Sequence, residues 1–172
     1  IMERSGVINL GIEGLMLIGA LAGFATANIT GSLVLGVCAS FLAALCAGAI
    51  HGIITVYLRG NQIVSGLSLT MFGIGFTALF GQKMVGETIT EFSRVDIPLL
   101  SSIPLVGTVF RQDPLVYLSI IIVFSTYFFF RRTKWGLRLR SVGENPAAAD
   151  TSGISVTKYR MMAVLIGSGF AG

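Results

Sequence analysis

Long apolar runs separated by short polar intervals dominate the chain. Four can be drawn, at roughly 5–27, 33–58, 62–82 and 115–130, and a fifth begins near residue 160. All but the fourth of the complete runs reach about 20 residues, the length an α-helix needs to cross about 30 Å of hydrocarbon. The fourth is shorter but almost wholly apolar. Lipid offers no partners for open backbone groups, so these spans are predicted to be helices. The pattern predicts an all-α fold: a polytopic transmembrane bundle with about five spans, in one membrane domain over residues 1–172. A soluble protein with buried parallel strands is also apolar, but its runs last roughly 4–8 residues.

Charge sharpens this picture. Only 12% of the residues are charged, against 53% hydrophobic, and soluble domains carry about 25% charged residues. The net charge of +4 comes from basic residues set beside the apolar spans, not from a patterned nucleic-acid groove. Arg131, Arg132, Lys134, Arg138, Arg140, Lys158 and Arg160 all lie between the fourth and fifth spans, which makes 131–160 a cytoplasmic loop. Alternation then places 83–114 outside, Arg59 inside, 28–32 outside and Arg4 inside. Within 83–114, the apolar stretches 96–100 and 103–106 contain prolines and suggest packing on the membrane surface or a partner. Ile1 is no initiator and the chain stops inside an apolar stretch, so truncation at both ends is expected. Asn9 and Glu13 argue against a cleaved signal peptide. Cys38 and Cys46 are eight residues apart on one predicted helix, a rise of about 12 Å that prevents their pairing.

Few positions carry candidate chemistry. On a helix beginning near Ser5, Asn9 and Glu13 would share a face, with Glu13 about 12 Å deep. An ionisable group at that depth is a candidate for solute contact; the alternative is a structural contact at a glycine-rich break. Gly19 with Gly23, and Gly48 with Gly52, are small pairs suited to close helix packing. His51 reads as a hydrogen-bonded packing residue, and no second histidine exists to build a metal site. Gly66, Thr70, Gly73 and Thr77 form a small and polar stripe on the third span, with Asn61, Gln62, Ser65 and Ser68 at its inner end. Such a stripe either lines a path for a polar solute or packs helices through interhelical hydrogen bonds.

The cytoplasmic loop has a more definite pattern. Glu144, Asn145, Pro146, Ala147, Ala148, Ala149, Asp150 and, after two residues, Gly153 write a short helix with Asn145 as N-cap, Pro146 at N1 and Gly153 at C′. About two turns of helix do not persist alone in water, so this one needs a surface to dock on. The neighbouring Trp135 and arginines suit an interfacial anchor. No phosphate-loop pattern and no Ser/His/Asp set is present, so the chain reads as a non-enzyme that binds no cofactor itself.

Three stretches carry a family resemblance: RSGVINLGIEGLM at 4–16, NQIVSG at 61–66, and TKWGLRLRSVGENPAAAD at 133–150, continued by Gly153-Ile154-Ser155-Val156. With these the chain resembles the membrane subunits of ABC importers for nucleosides and simple sugars, a branch related to ribose and branched-chain amino acid permeases. The resemblance implies a dimer of permease subunits, identical or different, in the bacterial plasma membrane. It also implies two cytoplasmic ATPase subunits that hold ATP and Mg, and an external solute-binding protein or lipoprotein. Residues 144–153 match the family's coupling segment, which sits in a groove of the ATPase. The rival classes are an ion-coupled secondary transporter or channel, which would need intramembrane charges for its ion, and, more weakly, a scaffold.

Overall fold

The computed structural model describes residues 1–88, 95–96 and 111–172. Seven α-helices occupy most of them: α1 (Ile12–Thr30), α2 (Leu33–Gly52), α3 (Gln62–Gly81), α4 (Pro114–Arg132), α5 (Lys134–Glu144), α6 (Pro146–Thr151) and α7 (Val156–Gly169). Two short strands, β1 (Val95–Asp96) and β2 (Arg111–Gln112), pair antiparallel. The expectation for 96–100 and 103–106 falls, apart from Asp96, outside the described residues. Among the described residues, four helices are long and apolar enough to span a membrane: α1, α2 with its continuation to Tyr57, α3 with its continuation to Met84, and α4. The fifth expected span corresponds to α7, which starts at Val156, a few residues earlier than the apolar run suggests.

Local chemistry sets the boundaries. Gly31 ends α1 in the left-handed region at φ +67°, its N–H reaching the Ala27 carbonyl. Asn61 starts α3, its side chain accepting from the N–H groups of Ile63 and Val64, as an N-cap does for donors with no intrahelical partner. Between them α2 runs into a π-helical turn, Ile53–Tyr57, and Arg59 takes φ +53° in the connection. Pro114 opens α4, where its missing N–H costs nothing.

One expectation is corrected here. The first span does not become helical near Ser5. A 3-10 turn covers Glu3–Ser5, Gly6 takes φ +79°, and α-helix begins only at Ile12. Four glycines between positions 6 and 19 weaken helix propensity, and Asn9 forms a competing local bond to the Gly11 N–H.

The chain divides into two compact units, Ile1–Ile89 with Leu137–Gly172, and Thr90–Gly136. In the first, α1 packs on both α2 and α3, and α2 packs on α7. Leu15, Ile18, Ala44, Ala47 and Leu69 form its centre. Small residues let the backbones meet: side chains added at Gly23 and Gly48 would run into Ser40 and Ser168. A side chain at Gly14 would meet the α3 backbone at Leu69 and Thr70. Ser40 also donates to the Gly19 carbonyl at 2.8 Å. Both glycine pairs thus serve close packing, as their spacing suggests. In the second unit, no residue of α4 is buried.

Candidate functional site

The stretch 6–11 ahead of α1 is irregular, and α3 satisfies its backbone. The Ile8 N–H donates to the Gln62 side-chain carbonyl at 2.8 Å. The Leu10 carbonyl accepts from the Thr70 hydroxyl at 3.0 Å, and that hydroxyl also lies 3.3 Å from the Gly66 carbonyl. Gly66 makes room for the contact, since a Cβ there would stand 2.8 Å from the Leu10 nitrogen. Gly73 continues the seam about two turns beyond Gly66, against Gly14. Thr70 lies eight residues into α3, about 12 Å of helix. Irregular backbone at such depth is stable only where protein or a cavity receives it, and here one face of α3 does.

Asn9 and Glu13 therefore do not share a helical face. Asn9 is buried, with its Oδ1 accepting from the Gly11 N–H at 2.7 Å and its Nδ2 beside the Met2 sulfur. Glu13 is exposed in the first turn of α1, where the free N–H groups of a helix start favour a carboxylate. The depth computed from a helix beginning near Ser5 does not apply to it. Asn61 caps α3 and Gln62 holds Ile8, so both act on backbone. Thr77, the last member of the stripe, is partly buried and its hydroxyl has no partner among the described residues.

A cavity of about 550 Å³ lies between the C-terminal end of α2 and the N-terminal half of α3. Its polar lining is His51, Asn61, Ser65 and Ser68, and its apolar walls include Ile50 and Phe72. His51 is 1% exposed and its Nδ1 lies 2.9 Å from the Ser65 hydroxyl. This bond ties α2 to α3. Sequence reasoning placed His51 in packing but had no signal for its partner, 14 residues away.

The short loop helix has the expected form. Asn145 takes an extended backbone and accepts from the Ala148 N–H at 3.0 Å. At the other end Gly153 sits at φ +79°, its N–H on the Asp150 carbonyl, and the Ile154 N–H reaches Ala149. These two bonds make a Schellman motif. Ala149 is buried, while Ala147, Ala148 and Asp150 are exposed and Pro146 half-buried. Glu144 lies 3.7 Å from Arg140 in an exposed pair. On α5, Leu139 and Val142 face inward, Trp135 and Leu137 are exposed, and Arg138 donates to the Tyr159 hydroxyl at 3.2 Å.

The family described as the branched-chain amino acid transport system permease component matches residues 1–172. The chain is 42% identical to a putative glucose ABC transporter permease protein of Haloferax volcanii, covering 100% of this chain and 54% of that protein. It is 40% identical to a guanosine ABC transporter permease protein of Bacillus subtilis, over 99% of this chain and 57% of the relative. A nucleoside ABC transporter permease protein of Lactococcus lactis is 37% identical over 95% of this chain and 56% of its own length. The chain thus spans about half the length of the curated relatives it matches. No solved structure matches.

Proposed function

The chain belongs to the family of branched-chain amino acid transport permease components, and on that premise we propose that it is the membrane part of an ABC importer for a nucleoside or simple sugar. It acts in the bacterial plasma membrane beside a second permease subunit. A separate cytoplasmic ATPase holds ATP and Mg and supplies the energy, and an external binding protein delivers the solute. The relatives named for guanosine, nucleosides and glucose support this range of solutes. The cavity between α2 and α3 has the scale of a small-molecule site, with His51, Asn61, Ser65 and Ser68 as its polar groups. On this reading the α3 stripe supports the path by fixing residues 6–11 beside it.

The observation that carries the proposal is α6. It is capped at both ends yet only six residues long, and a helix of that length gains persistence from the surface it docks on. Its exposed Ala147 and Ala148 are small enough to enter a groove on the ATPase. Ala148→Arg opposes docking by volume and by charge. In vesicles reconstituted with the ATPase and binding protein, this variant is expected to keep binding-protein association and to lose ATPase co-purification or solute-stimulated hydrolysis. Unchanged co-purification and uptake would overturn the docking role.

A further inference from the structure

At the end of the bundle that carries α6, a joint forms from opposite ends of the chain. The Arg160 guanidinium, at the start of α7, donates through Nε to the Ser5 carbonyl at 3.2 Å, across 155 residues. Ser5 is fully buried, and its hydroxyl donates to the Met2 carbonyl at 2.6 Å. From the other side the last turn of α5 presses on the same turn: a side chain on Gly143 would run into the Arg4 carbonyl oxygen and stand 3.3 Å from the Gly6 nitrogen. Gly6 closes the turn, its N–H on the Glu3 carbonyl at 3.0 Å. Residues 3–6 are therefore held between α5 and α7 without room for an added methyl group.

The joint has a continuation on each side. Gly143 lies two residues before Asn145, the cap of α6, and the Asn145 N–H bonds back to the Ser141 carbonyl at 2.9 Å, so α5 and α6 are tied through that bond. Beyond Gly6 the chain runs into the irregular stretch that Gln62 and Thr70 hold. Close-packed backbone transmits displacement instead of absorbing it. The bonds at Gln62 and Thr70 are single side-chain bonds and can be exchanged when the stretch moves.

We propose that Arg160 and Gly143 are positioning residues that link α6 mechanically to residues 6–11, so that displacement of α6 moves the irregular stretch against α3. This rests on the reading of α6 as the ATPase docking helix. Its test is separable from the test of that reading, because Ala148→Arg reports on association and the joint reports on coupling.

The experiment uses the complete transporter in vesicles, with Arg160→Met, Arg160→Lys and Gly143→Ala. ATPase co-purification, basal hydrolysis and solute transported per ATP are measured for each. Arg160→Met and Gly143→Ala are expected to retain co-purification and basal hydrolysis while transport per ATP falls about tenfold. Arg160→Lys keeps a cationic donor and is expected to recover most of that ratio. An unchanged ratio in Arg160→Met overturns the proposal, and so does loss of ATPase association in that variant, which would mark a purely structural contact. If Gly143→Ala fails to assemble, Arg160→Met decides, since it removes a donor without adding bulk.

Discussion

At the residue scale, the glycines of α3 differ sharply in what surrounds them. Gly66 faces the backbone of Leu10 and Gly11, whereas a side chain at Gly75 would meet nothing within 4 Å. Gly66→Leu is expected to separate α3 from residues 6–11 and abolish uptake, while Gly75→Leu leaves folding intact; detergent-solubilised thermal stability and solute uptake distinguish them. Thr70→Val removes one bond and keeps the shape. Its expected cost is about 0.6–2 kcal/mol, the span found for side-chain hydrogen bonds between membrane segments, read as a lowered unfolding midpoint in mild detergent. The stripe itself was legible because small and polar residues recur at helical spacing. What it faces was not, because a spacing rule gives the side of a helix and not its neighbour. Asn9 shows the same limit: its i+4 relation to Glu13 holds only on a helix, and its own side chain bonds Gly11 instead.

At the element scale, α6 was readable nearly to the residue, since caps are local chemistry and Asn145, Pro146 and Gly153 each have a specific backbone preference. Asn145→Ala is expected to cost the cap about 1 kcal/mol. The measurable result is weaker retention of the ATPase on the purified permease at moderate salt, with Asn145→Ser restoring it. The start of α1 was misread for the opposite reason. Hydropathy locates apolar residues without regard to whether their backbone is helical, and residues 6–11 are apolar enough to extend the run. Their irregular form depends on Gln62 and Thr70, more than 50 residues away. The π-helical turn at Ile53–Tyr57 and the left-handed Arg59 likewise have no signature in the apolar pattern.

At the scale of the whole molecule, the asymmetry of basic residues predicts that α5 and α6 face the cytoplasm and that the end of α3 faces outward. In a background lacking Cys38 and Cys46, an impermeant thiol reagent applied to intact cells should label Lys83→Cys and spare Ser141→Cys; the reverse pattern would invert the topology. Four of the five expected spans were legible from apolar length alone, and which helices touch was not, because α1, α2, α3 and α7 meet through small residues scattered along all four. The irregular stretch before α1 also bears on biosynthesis. A ribosome delivers residues 6–11 long before Gln62 and Thr70 exist, yet unpaired backbone groups in hydrocarbon cost several kcal/mol each. The newly made stretch must therefore wait in water, at the headgroups or inside the insertion machinery until α3 emerges. Of α1, α2 and α3, the helix made first thus settles last at the end that joins residues 6–11, and a polypeptide stalled before position 70 presents an unfinished edge for membrane proteases to recognise.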